Sequence, residues 1–268
     1  SGDHLAAMNS VGWARQGNQS FSLEATRGDL GPDQAAQVAA TVSDSHLDIG
    51  VDLSLTATTK PEVSAQVASE TPSGSVVFKL TSASNWLNID THAGVSGLGG
   101  DARASRIAGD VSIIARDTSG VAAKLGGSTP TTGVQLVHND VRHAVTVGVL
   151  SSDLMVGGDV SLWSQAAVAL DAQWDGQKGS SRASNVVLNR LLASAQAEVT
   201  QGSLVAQGSI AVDADHSAQV KATNRVDAVG DGAAHPVTVT VNTSGWLLES
   251  GKLYDLPDLL GHDEVQSS

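Results

Sequence analysis

Asp52, Asp110 and Asp159 each open a short apolar run, DLSL, DVSI and DVSL, and Ser209 opens a fourth, SIAV, at spacings of 58, 49 and 50 residues. Carboxylates stacked at equivalent points of a repeat offer the hard oxygen donors that suit Ca²⁺. The commoner use of such an Asp is as a turn residue whose side chain bonds nearby backbone, and that reading is favoured here. The glycine–aspartate signature of calcium-binding β-rolls is not met: GLGGDARA (97–104) comes nearest and fails the spacing. His46, His92 and His138 are each 46 residues apart but fall at different points of the repeat, and His138 and His143 make no i, i+4 ligand pair. Surface histidines are expected, and no metal site. Exposed tryptophan on a β-surface stacks on sugar rings, which makes Trp163 and Trp174 the candidate glycan contacts. Alternation in DVSLWS places Trp163 opposite Val160 and Leu162, hence outward, and Trp174 falls at a loop edge. The bland alternative for both is packing under loops or at the ends of the molecule. Asp171 and Asp175 are the only close carboxylates near a tryptophan, and no nucleophile elbow, phosphate loop or dinucleotide fingerprint occurs. The chain is not expected to be an enzyme.

The elements that carry these residues are strands. From Ser184 to Ala222, apolar and small polar residues alternate with period two: Ala195, Ala197 and Val199, then Leu204 and Ala206, then Ile210, Val212 and Ala214. Gly202 and Gly208 mark turns between them. Similar runs start near Val76, Val134, Val186 and Val237, which matches the period of the aspartates, and TSASNWL (81–87) pairs more weakly with NTSGWL (242–247). A repeat of about 50 residues, taken as two coils of about 25, implies a parallel β-helix, right-handed by the crossover rule. Residues 1–250 would then hold about ten coils, a rod on the order of 50 Å long at the strand spacing. SFSLEAT (20–26) is the first strand candidate. The length variation is expected in loops 69–74, 126–133, 175–184 and 229–236. An antiparallel sandwich is the alternative fold, but it has no reason to repeat at this period. Residues 251–268 place Leu253, Leu256, Leu259 and Leu260 at helical spacing, which suits a short helix or a linker.

Composition narrows the class of partner. A net charge of -13 leaves too few Lys and Arg for nucleic acid and opposes an anionic membrane surface. Aromatics are 3% of the residues, so the core must be built from Val, Leu, Ile and Ala, which suits a thin, evenly stacked interior. There is no cysteine, and a long solenoid needs no disulfides outside the cell. No apolar run reaches transmembrane length. The start SGDHLAAMNS has neither a basic nor a hydrophobic region, so the chain reads as a piece of a longer protein.

VGGDVSLWS (156–164), IAGDVSIIA (107–115) and NVVLNRLLASAQAEVTQGSLVAQGSIAVDADHSAQVKA (185–222) share a style. It resembles that of the large repetitive β-helical adhesins and filamentous surface proteins of Gram-negative bacteria, of the leukotoxin or haemagglutinin-like type, over roughly residues 35–245. The resemblance implies a secreted, cell-surface or matrix-building rod and carries over no functional residue. The expected function is structural and adhesive. Its partners would be copies of the chain stacked end to end, or extracellular polysaccharide and surface glycans. A carbohydrate-binding module is the alternative, and a polysaccharide lyase or hydrolase is less favoured.

Overall fold

A computed structural model of the chain describes residues 3–11, 35–69, 79–99, 104–128, 132–177, 182–227 and 237–245. The described residues form strands and no helix: β1 (Asp3–Val11), β2 (Ala36–Ser43), β3 (Asp48–Ile49), β4 (Leu53–Thr59), β5 (Glu62–Ser69), β6 (Lys79–Ser96), β7 (Ser105–Ile107), β8 (Val111–Ser128), β9 (Thr132–Leu150), β10 (Asp153–Val156), β11 (Val160–Gln177), β12 (Arg182–Thr200), β13 (Ser203–Ala206), β14 (Ile210–Asp227) and β15 (Thr238–Ser244). Each described pairing is parallel. The chain is a parallel β-helix whose coil is long strand, short strand, long strand. β6, β9, β12 and β15 belong to the first sheet, β3, β7, β10 and β13 to the second, and β8, β11 and β14 to the third.

The first coil is broken twice. β1 and β2 lie against the two halves of β6, with Val11 opposite Leu87 and Ala36 opposite Ile89. β4 and β5 lie against the two halves of β8, separated by Lys60 and Pro61. Pro61 has no amide hydrogen for the ladder, which is why the strand stops there. Its carbonyl still accepts the Gly120 amide at 3.0 Å.

Register corrects the expected coil length. Asn139 is level with Asn189, 50 residues on, and Asp110 with Asp159, 49 on, so one full turn takes the whole repeat rather than half of it. The described residues therefore make four coils and the start of a fifth, not ten. At strand spacing the stack is about 24 Å tall, while an 18-residue strand is about 60 Å long. A coil this wide makes a rod only when many coils stack. Two apparent landmarks also shift. Val134 pairs with Ser184, not Val186, and Trp86 stands in the column of Thr243, since Asn85 is level with Asn242. The aspartate column is placed as the spacing predicted. Strands run through much of two expected loops, to Ser128 and from Thr132, and to Gln177 and from Arg182. The SFSLEAT candidate, loops 70–74 and 229–236, and the C-terminal helix lie outside the described residues.

The core lies between the first and third sheets, with the second closing one side. Beside the second sheet, Val95, Val147 and Val149 meet Ile107, Leu154, Val156, Ile113 and Leu162. Farther along, Leu87, Val141 and Leu191 meet Val121, Val168 and Leu170. At the far end Ala83, Val137 and Val187 meet Leu125 and Trp174. Each buried Val, Leu or Ile contributes about 1.5–3 kcal/mol relative to an exposed one. Small aliphatics suffice because the sheets are thin and every coil offers the same columns to its neighbours.

The corners show why the repeat carries its glycines. At the first corner Asp44, Gly97 and Ser151 all adopt positive φ (48°, 63° and 48°), as does Gln201 (54°) in the next coil. At the second corner Gly109, Gly158 and Gly208 lie against the aspartates of the preceding coil. A Cβ on them would stand 2.0, 2.0 and 2.1 Å from an Oδ1 of Asp52, Asp110 and Asp159, respectively. The Gly-Asp pair is thus a single device, in which glycine leaves room for the aspartate one coil earlier.

Candidate functional site

The chemistry-bearing residues of this fold are arranged in columns parallel to its axis. In the exposed column Asp52 Oδ1 accepts the Asp110 amide at 2.8 Å, and Asp110 Oδ1 accepts the Asp159 amide at 2.8 Å. Asp159 Oδ1 accepts the Ser209 amide at 2.7 Å and the Ser209 hydroxyl at 2.9 Å. Those bonds, the backbone one first, hold the Asp159 carboxyl below its ordinary pKa. The aspartates act as turn residues, and the backbone they bond belongs to the next coil. Among the described residues no group of three or more His, Asp or Glu is placed to hold a metal ion.

A second column runs through the interior. Asn85 donates to Asn139 Oδ1 at 2.8 Å, Asn139 to Asn189 at 2.9 Å, and Asn189 to Asn242 at 3.0 Å. Each Nδ2 also donates across the core to a carbonyl of the third sheet: Asn85 to Ala122, Asn139 to Asp171 and Asn189 to Lys221, at 2.7, 3.1 and 2.7 Å. Asn85 and Asn139 are fully buried, so the amides satisfy one another where water cannot reach. Register puts Asn9 in the same column. The sequence reading missed this ladder, although the N of NVVLN and PVTVTVN was its visible signal.

Between two of the core clusters lies a polar belt. His143 Nδ1 contacts Asp117 Oδ2 and lies 3.3 Å from Ser119 Oγ, and Ser119 Oγ donates to Asp117 Oδ1. Thr59 and Thr91 hydrogen-bond at 2.7 Å nearby. A serine, a histidine and an aspartate together suggest nucleophilic catalysis, but the geometry opposes it. Serine and aspartate both approach Nδ1, whereas a catalytic triad places them on opposite ring nitrogens. All three side chains are buried. The group braces the two sheets.

The outward face of the first sheet is buried over half its length. Leu136, Val186 and Leu188 pack there with Val239 and Val241. Alongside, Trp86 and His138 meet edge to face at 5.6 Å, and Asp140 lies 3.7 Å from Arg190 and 3.9 Å from Arg142. Burial holds the His138 ring below its ordinary pKa, with Arg190 acting in the same direction and Asp140 against it. His138 and His143 are thus buried, contrary to the surface placement expected from sequence. Their isolation along the chain concealed partners brought in by coil stacking.

Of the two candidate glycan contacts, Trp163 is half-buried on the outward face of β11, with the Arg116 guanidinium 5.9 Å from its ring centre, within cation–π range. Trp174 corrects the expectation. It is 1% exposed, points inward at the end of the core and offers no face to a sugar. Strand β11 continues past it to Gln177, so the loop assumed beside it does not begin there. Asp171 and Asp175 point outward from the same strand. Four residues apart, they are separated by about 13 Å, beyond the carboxyl pairs of glycosidases. Also on the third sheet is a groove of about 560 Å³, lined by Glu62, Ser64, Gly120, Asp171, Gln219 and Lys221 among others.

Three parallel sheets wound by one chain, pinned by an interior asparagine column and a corner aspartate column, define this protein as a laddered parallel β-helix. No protein-family model, curated protein or solved structure matches the chain.

Proposed function

We propose that the chain is a load-bearing segment of an extracellular bacterial surface or matrix protein, adhesive in setting and mechanical in its own task. The observation that supports this reading is the pair of unbroken ladders along the stacking axis. Force along that axis loads backbone pairing, asparagine amides and aspartate–amide bonds together, coil by coil. The acidic surface, the absence of cysteine and the adhesin-like repeat agree with such a setting. Single-molecule stretching tests it. Successive release of coils, each adding about 170 Å for 50 residues of extended chain, is expected. A single low-force collapse would overturn the reading.

A second reading rests on Trp163, which lies on the same sheet face as the groove beside Asp171. A glycan strand along that face would stack on Trp163 and meet Asp171 and Lys221. Trp163→Ala then lowers binding across a glycan array at least several-fold. An unchanged profile removes the reading.

A further inference from the structure

The outward face of the first sheet is buried where no described strand lies on it. On β6, Ser82, Ser84 and Trp86 point away from the core, yet each is at most 1% exposed. Leu136, His138 and Asp140 stand level with them on β9, and Val186, Leu188 and Arg190 on β12, and all of these are buried as well. Their apolar members pack only with Val239 and Val241 of the same sheet among the described residues. In a single chain such burial comes from another segment of that chain. The patch also holds polar atoms in need of partners. Trp86 Nε1, both carboxylate oxygens of Asp140 and Arg190 NH1 are buried and make no hydrogen bond, which is costly away from water. Arg142 and Arg190 flank Asp140 at 3.9 and 3.7 Å, so two guanidinium groups face one carboxylate.

We propose that residues 246–268, which lie outside the described residues, fold back over this face as a strap that ties β6, β9, β12 and β15 together. The strap is independent of whether the stack bears load. Three observations favour this segment as the occupant. First, the buried columns are the ones β15 shares. β15 pairs with β12 from Asn185 to Leu191, and farther along the same face Thr146 is half-buried and Gln196 exposed. Second, the strand stops at that boundary. Gly245 donates to the Leu191 carbonyl at 3.0 Å and adopts φ 75°, a left-handed conformation that ends the strand. Third, composition suits both parts of the patch. Leu253, Leu256, Leu259 and Leu260 offer an apolar stripe for Leu136, Val186 and Leu188. The same segment carries five carboxylates against one Lys, which suits Arg142 and Arg190. Residues 12–34 follow β1 at the same level, since Val11 is opposite Leu87, but they carry three carboxylates against two Arg and match the charge less well. Length is sufficient: the seven paired residues of β12 span about 23 Å, and 23 residues reach about 35 Å even as a helix.

The chain has no cysteine, so a single introduced thiol reports on the face by its rate of reaction with a maleimide. Full-length Ser84→Cys is expected to react at least tenfold more slowly than Gln196→Cys, which is exposed on the same face; Leu188→Cys serves as a second reporter should Ser84→Cys fold poorly. Leu256→Asp with Leu259→Asp should remove most of that protection. Phe21→Asp with Leu23→Asp, in residues 12–34, should leave it intact. Val187→Cys, inward at the same level and 0% exposed, should stay protected in every variant. Ser84→Cys reacting as fast as Gln196→Cys would overturn the proposal, as would protection that survives the leucine changes or is removed by the Phe21 and Leu23 changes instead. Equal release of Val187→Cys would assign the protection to the fold as a whole and overturn the strap.

Discussion

The two ladders share a period and a direction but not an environment. Asn85, Asn139 and Asn189 are sealed between the sheets, and each of their amides donates twice. The aspartate column stands in water at a corner, and its bonds replace hydration that water would otherwise supply. A buried polar group left unpaired costs about 1–3 kcal/mol, whereas an exposed bond contributes little. The interior ladder therefore resists separation of the coils, while the corner ladder mainly fixes which residue begins the third-sheet strand.

The largest effect is expected at Asn139. Asn139→Ala removes one of the two acceptors of the Asn85 amide and the donor to Asn189 Oδ1 and to the Asp171 carbonyl, so three hydrogen bonds of the interior are lost at once. A loss of about 3 kcal/mol in denaturant unfolding is expected. A loss below about 1 kcal/mol would place the interior ladder on a par with the corner.

Next comes Gly158→Ala. Its Cβ would stand 2.0 Å from Asp110 Oδ1, so the carboxylate must leave the Asp159 amide. Destabilisation of about 1–3 kcal/mol is expected. The double variant with Asp110→Ala should recover part of it, because the clashing atoms are gone. No recovery in a double-mutant cycle would refute the paired role of glycine and aspartate.

The smallest effect is in pH. The folded pKa of Asp159 lies below its unfolded value, so its contribution is complete above the unfolded value, near pH 4, and is lost as pH falls through the folded one. Asp159→Asn keeps an acceptor oxygen and removes the titration. Acid unfolding curves of the two proteins should diverge at neutral pH and converge in the acid range. Parallel curves throughout would show that Ser209 gains nothing from the charge.

Much of the fold was legible because alternation and repetition are local properties. Gly202 and Gly208 do bracket β13, Trp163 does face outward, and the aspartates do stack. The coil length was not legible. Period two states that a residue faces in or out, not which sheet it belongs to, so 50 residues divide equally well on paper into one coil or two. Polar residues on inward positions hid their role for the same reason. β12 runs through Asn189 to Thr200 because stacked amides from neighbouring coils satisfy it, and those partners lie 50 and 53 residues away. Trp174, His138 and His143 were misplaced because their partners lie far away in the chain: the far-end core for Trp174, Trp86 for His138 and Asp117 for His143.

The sequence by itself determined the parallel repeat, the small-aliphatic core and the corner column, since each depends on residue type at a regular interval. Only the tertiary structure decided the width of the coil, the interior asparagine ladder and the buried histidines. Those depend on which residues become level when the chain closes a turn, and closure is set by packing between sheets rather than by any pattern within one strand.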